Sequence, residues 1–249
     1  MPLVSTDYDP FARIYDDAWG IDIVQHAMPH VEELLLPHIP DGAHLLDLCC
    51  GTGLLTHELL RKGYQVIGLD RSESMLHYAR QKSVAGNFIF GDACSTELPP
   101  ARFHGVVSTG YSLNHLMTLE ELSKVFHNVY SALVEGGLFV FDLRREYAYR
   151  STWDGHTDGS VKEEYAWAAQ RSYNPNERIG QVKITIFQMT EGNWQRSDIT
   201  WLVRGHSRTE IESTLKQVGF INVSVYDAER DLRVTGKGDI VYFVCRKPF

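Results

Sequence analysis

The chain has 249 residues, 43% of them apolar, and a formal net charge of −8, which is enough to bury a full core and excludes a disordered chain. Without a run of lysine or arginine, the acidic balance gives no electrostatic footing for nucleic acid or an anionic membrane, and the expected partner is a small-molecule acceptor. The four cysteines show no Cys-x-x-Cys spacing, the N-terminus has no cationic segment followed by an apolar run, and no apolar stretch approaches the roughly twenty residues of a membrane helix, so a soluble protein of the reducing cytoplasm is expected.

In chain order, residues 8 to 19 and 21 to 38 read as two helices that cap a ligand crevice, the second stopping near Pro37 and Pro40. His26 and His30 have the i, i+4 spacing of a helical metal pair, but Pro29 lies between them and no third ligand follows, so no metal is expected. From Leu45 to Thr56 a buried-strand pattern runs into a glycine turn and then a helix. Glycine at 51 and 53 removes Cβ where the backbone turns sharply and where a ligand approaches it, and the helix that follows offers unpaired amides and the positive end of its dipole. A second strand, Gln65 to Leu69, ends in Asp70, placed to bond both hydroxyls of a ribose. Loop and acid together point to an adenosine-bearing cofactor. A nicotinamide fingerprint requires a third small residue, and Thr56 stands there instead.

Strands and helices alternate from His44 to Leu143, with helices near 54–62, 72–82 and 118–133, which predicts a doubly wound, mostly parallel sheet covered on both faces. Ligands of such sheets lie beyond the carboxyl ends of the strands, where Gly51, Asp70, Asp92, Thr109 and Asp142 fall. After Arg144 the period changes. Runs at Lys162–Tyr173, Gly180–Thr190 and Trp194–Val203, parted by Asn174-Pro175-Asn176 and Glu191-Gly192-Asn193, predict an antiparallel insert within residues 145–204. A helix over 207–219 opens on a Ser207/Glu210 capping box and stops at Gly219, and strands Ile221–Tyr226 and Asp239–Arg246 complete the sheet.

The loop is similar to the Asp-x-Gly-x-Gly-x-Gly pattern of class I S-adenosylmethionine-dependent methyltransferases, with Asp47, Gly51 and Gly53 in place and Cys49 where the first glycine usually lies. Further segments resemble the family in order: Asp70-Arg71-Ser72-Glu73-Ser74-Met75-Leu76, Gly91-Asp92-Ala93, Phe103 to Thr109, and Leu133-Val134-Glu135-Gly136-Gly137. The resemblance implies an α/β, Rossmann-like seven-stranded sheet, with residues 1–144 and 205–249 as core and 145–204 as a β lid. It implies S-adenosyl-L-methionine held by Tyr15, Asp47, Cys49, Gly51, Gly53, Asp70, Arg71, Met75, Asp92, Ala93 and Thr109. Asp70 would bond the ribose, Met75 would lie against the adenine, and Asp92 would accept from the adenine amino group.

The segment Asp7 to Asp16, the insert, and the Ser207–Glu212 helix start resemble a smaller group, bacterial small-molecule methyltransferases that include amino-sugar N-methyltransferases. The implied reaction is in-line methyl transfer to nitrogen or oxygen, with His115 and Tyr15 as the catalytic candidates and Tyr8 a further candidate on the cap. Arg144, Arg145, Arg204 and His206 bracket the insert, either for an anionic acceptor or as solvated surface; Trp153, Trp167, Trp194 and Trp201 line the acceptor or pack the sheet. The rival readings are a non-catalytic cofactor-binding protein and a nicotinamide-dependent oxidoreductase, and the resemblance leaves a homodimer open.

Overall fold

A computed structural model describes residues 8–84, 86–233 and 239–249. Asp7, the first residue of the N-terminal motif, lies outside the described residues. Strands β1 (His44–Leu48), β2 (Gln65–Asp70), β3 (Asn87–Phe90), β4 (Phe103–Ser108) and β5 (Leu133–Arg144) come first, then β6 (Thr157–Val161), β7 (Tyr165–Asn174), β8 (Ile179–Thr190) and β9 (Asn193–Arg204), and last β10 (Ile221–Asp227) and β11 (Ile240–Arg246). Seven of them form one sheet in the order β10-β11-β5-β4-β1-β2-β3. Only β11 runs against its neighbours, β5 and β10; β1 to β5 pair in parallel.

Alternation along each central strand sends successive side chains to opposite faces, and both faces are apolar. Leu46, Val106, Phe139, Phe141 and Phe243 pack under the helices Leu119–Ala132 and Arg208–Val218. Their neighbours Leu45, Val107, Val140 and Tyr242 pack under Val31 and Leu34 of helix Gly20–Leu34 and Leu55 and Leu59 of helix Leu54–Arg61. The sheet is therefore doubly wound, as its sequence pattern predicts. Both covering helices on the first face open on capping boxes, Thr118 with Glu121 and Ser207 with Glu210.

The N-terminal cap departs from expectation. Instead of two helices parted near residue 20, the chain is helical from Asp9 to Leu34, with a wide π turn at Tyr15–Trp19, and then makes a short 3-10 turn at Leu36–His38. Gly20 does not break the helix; a Cβ there would lie 2.8 Å from both Leu54 Cδ1 and the Tyr15 ring, so the glycine serves close packing.

The segment after β5 forms a separate antiparallel sheet ordered β6-β7-β8-β9, with four strands where the sequence shows three runs. Its inner face, Trp167, Ala169, Val182, Ile184, Ile186, Ile199 and Trp201, packs on Phe11 and Ile14 of the N-terminal segment and forms a third core. Asp9 accepts from the Ser72 hydroxyl at 2.5 Å, and Gln188 donates to the Pro10 carbonyl at 3.2 Å, so the cap is tied to the main sheet on one side and the second sheet on the other.

Candidate active site

The turn after β1 is left-handed at three residues: Cys49 (φ +62°), Gly51 (+54°) and Gly53 (+73°). Glycine adopts this freely, whereas a side chain there costs on the order of 1 kcal/mol, which Cys49 bears where the family pattern has glycine. At Gly53 the reason for glycine is packing: a Cβ would lie 2.7 Å from the Ala79 Cβ and 3.2 Å from Phe88. At Gly51 it would lie 3.3 Å from the Tyr15 ring. Asp47, buried beneath the turn, accepts from the Thr56 hydroxyl at 2.6 Å. Burial pushes the Asp47 carboxyl up to about 7. Thr56 thus holds the acid below the loop, which accounts physically for a hydroxyl at the position where a nicotinamide fingerprint carries a small residue.

Asp70 accepts the Gly51 N–H on Oδ2 at 2.8 Å and the Ser72 N–H on Oδ1 at 2.9 Å. Each carboxylate oxygen keeps acceptor capacity beyond these bonds, so the pair can take both hydroxyls of a vicinal diol. Burial raises the Asp70 carboxyl, and the backbone donors of Ser72 and Gly51 oppose that rise. Ser72 caps the helix Glu73–Lys82 by accepting from the Met75 N–H at 3.1 Å, which sets Met75 in the same cleft. Asp92 is oriented by the Cys94 N–H at 2.7 Å. Tyr15, Cys49, Gly51, Asp70, Arg71, Met75, Asp92 and Ala93 line one cleft. Asp47, Gly53 and Thr109 are not among the residues that line it; the Thr109 carbonyl accepts from the Ser112 hydroxyl at 3.0 Å.

A second cavity, about 330 Å³, adjoins the first and shares Tyr8, Tyr15, Gly110 and His115 with it. Its other walls are Trp19, Tyr111, Tyr149, Trp153 and Trp201, with Arg144, Arg171 and Asp158 among them and Asp22 and His26 at exposed positions. The loop between the two is fixed by Asp142 at the end of β5, whose carboxylate accepts from the N–H groups of Gly110 (3.0 Å) and Tyr111 (2.8 Å). Burial pushes Asp142 up to about 7.

His115, half-buried on the 3-10 turn Ser112–His115, makes two bonds. Its Nδ1 lies 3.1 Å from the Leu202 carbonyl on β9, and its Nε2 lies 2.6 Å from the Tyr8 hydroxyl. A carbonyl only accepts, so Nδ1 carries the hydrogen and Nε2 presents a lone pair, which takes the Tyr8 hydroxyl. Burial, and secondly the nearby Arg71 charge, push the imidazole down to about 4. It is neutral at physiological pH.

Each of the bracketing cations already has partners within the protein. Arg144 pairs with Asp239 at 3.1 Å and lies over the Tyr111 and Trp153 rings, Arg145 pairs with Asp227, Arg204 donates to the Met117 carbonyl and His206 to the Leu116 carbonyl. Of the four tryptophans between residues 150 and 204, Trp167 and Trp201 pack the third core, Trp153 and Trp201 line the second cavity, and Trp194 is exposed. The candidate metal pair is parted: His26 is exposed and bonded to the Asp22 carbonyl, while His30 is buried against Tyr242. Trp19, Arg171, Asp158 and Asn114 belong to this region without any sequence motif marking them. No helix among the described residues is long and apolar enough to cross a membrane.

A seven-stranded sheet of this order, a glycine turn and an acid at the end of β2 define a nucleoside-binding α/β protein. Residues 45–137 match the family model described as a methyltransferase domain. An uncharacterized methyltransferase of Bacillus pumilus (strain SAFR-032) is 36% identical over 207 residues, covering 81% of this chain and 96% of its own. The chain belongs to the methyltransferase family. The fold is shared with an S-adenosylmethionine-dependent methyltransferase from Clostridium acetobutylicum ATCC 824, at TM-score 0.80, 22% identity and coverage of 98% of this chain and 100% of that one. It is also shared with the sugar N-methyltransferase KedS8 from Streptoalloteichus sp ATCC 53650, at TM-score 0.76, 18% identity and coverage of 99% and 94%.

Proposed function

We propose that this methyltransferase transfers the methyl group of S-adenosyl-L-methionine to the uncharged nitrogen of a small amine, with amino sugars the first class to consider. The observation that carries the reading is the common wall: a cleft with a diol-binding acid and an aromatic cavity meet at Tyr8, Tyr15, Gly110 and His115. The donor supplies a methyl carbon already activated by its sulfonium, so the protein must align the acceptor, exclude water and keep the nucleophile neutral. Asp70 holds the ribose hydroxyls, Met75 lies along the adenine, Asp92 accepts from its amino group, and Gly51 lets the backbone come close. The second sheet acts as the lid, and Trp19, Trp153 and Trp201 give the acceptor cavity an aromatic lining suited to the C–H surface of a ring.

His115 is the catalytic residue on the acceptor side. Its Nε2 lone pair, released by Tyr8, accepts a hydrogen bond from the acceptor N–H and turns the nitrogen lone pair toward the common wall. An imidazole held near 4 has little driving force to strip a hydroxyl, whereas an amine already carries its lone pair. That difference favours nitrogen over oxygen, and the sugar N-methyltransferase KedS8 shares the fold. Four cysteines that remain free thiols suit a reducing, cytoplasmic setting.

The test is a panel of amino sugars, small amines and hydroxylated metabolites incubated with methyl-labelled S-adenosylmethionine. Label should pass to an amine, and His115→Ala should lower turnover about a hundredfold while donor affinity stays within about threefold. Donor binding without transfer to any member of the panel would favour the non-catalytic reading.

A further inference from the structure

We propose that Asn114 is a positioning residue: its side chain clasps the lid to the turn that carries His115, and the docked lid selects the tautomer in which His115 meets the acceptor. Asn114 is fully buried and bonded at both ends of its amide. Its Nδ2 donates to the carbonyls of Arg144 (3.1 Å) and Arg204 (2.7 Å), and its Oδ1 accepts the Arg144 N–H at 2.9 Å. Arg144 is the last residue of β5, where the chain leaves the core for the lid; Arg204 is the last residue of β9, where it returns. One side chain therefore holds both crossings.

The residues that follow extend the clasp. His115 donates to the Leu202 carbonyl at 3.1 Å, His206 donates to the Leu116 carbonyl at 2.8 Å, and Arg204 donates to the Met117 carbonyl at 3.1 Å. Four consecutive residues of the turn, 114 to 117, are thus buttoned to the returning segment 202–206.

The consequence for His115 follows from where its partners come from. Neither ring nitrogen is held by the turn itself. Nδ1–H is held by β9, and Nε2 by Tyr8, whose ring stacks on Trp201 of the same strand at 4.2 Å and 11°. When β9 is seated, Nε2 is an acceptor. When it is not, the imidazole is free to carry its proton on Nε2, which offers a donor to a nucleophile that needs an acceptor. Lid docking and acceptor competence are then one event, and Asn114 supplies two donors and an acceptor in one plane, an amide geometry shared only with the longer glutamine.

The inference rests on His115 as the acceptor-side residue, but its test needs no acceptor. Histidine labelled with ¹⁵N and ¹³C reports the His115 tautomer by NMR, with His115→Gln used to assign the signal. Amide exchange reports β9, and calorimetry with S-adenosylhomocysteine reports the donor cleft. The wild-type protein, with and without S-adenosylhomocysteine, should hold the Nδ1–H tautomer. Asn114→Asp, which keeps the shape but sets oxygen against two carbonyls, should give mixed or Nε2–H tautomers and β9 exchange at least about tenfold faster, with S-adenosylhomocysteine affinity within about threefold. Asn114→Ala, whose vacated volume can take water, should do the same should the charged variant fail to fold. An unchanged tautomer in the variant that folds, or a wild-type His115 already in the Nε2–H form, overturns the proposal. Absence of S-adenosylhomocysteine binding by the wild type would instead count against the donor assignment, and the tautomer of the unliganded protein would still decide the clasp.

Discussion

Asp47 and Thr56 show how the glycine turn is held from below. A buried carboxyl at about 7 binds its proton more tightly in the folded chain than at the ordinary value near 4 in the unfolded one. The folded state therefore carries the extra proton between those values, and stability falls as pH rises through that window. The Thr56 hydroxyl limits the loss because it bonds the charged form. Thr56→Val should destabilise the protein by about 1–3 kcal/mol at pH 8 and by less at pH 5, where Asp47 is protonated and needs no donor. Urea unfolding at the two values checks the difference, and an equal loss at both would separate Asp47 from the effect. Asp70 makes the complementary prediction for the ligand. If Asp70 holds the diol as proposed, Asp70→Ala removes both of those bonds and should weaken S-adenosylmethionine binding at least about a hundredfold by calorimetry; unchanged affinity would end the ribose assignment.

Among elements, the ones legible in sequence were those whose own residues decide them. Strands β1, β4 and β5 are near-continuous apolar runs between glycines and turn residues, and the Arg208–Val218 helix announces itself by its cap. Ser207→Ala should cost about 1 kcal/mol in thermal or chemical unfolding, and no loss would mean that Arg178, which bonds Glu210 at 3.4 Å, holds the helix start without the cap. Strand β6 was not legible, because Thr157-Asp158-Gly159-Ser160-Val161 has no apolar alternation and exists by pairing with β7 alone. The continuity of the N-terminal helix is hidden for a related reason: Gly20 reads locally as a break, and only the approach of Leu54 and Tyr15 shows why it is there.

For the whole molecule, the proposed donor half of the site is local and the proposed acceptor half is not. Cys49, Gly51, Asp70 and Asp92 sit at or just past successive strand ends and Met75 lies in the first turn of the helix after β2, so spacing along the chain finds them. Trp19 from the cap, Asn114 from the turn after β4, and Asp158 and Arg171 from the second sheet converge only in three dimensions, and no periodicity or motif joins them. The same division makes the donor the sharper test of the whole account. Calorimetric titration of protein freed of copurified nucleoside with S-adenosylmethionine, and separately with NAD and NADP, should give one-to-one binding of S-adenosylmethionine alone; selective binding of NAD or NADP would contradict the account at its root.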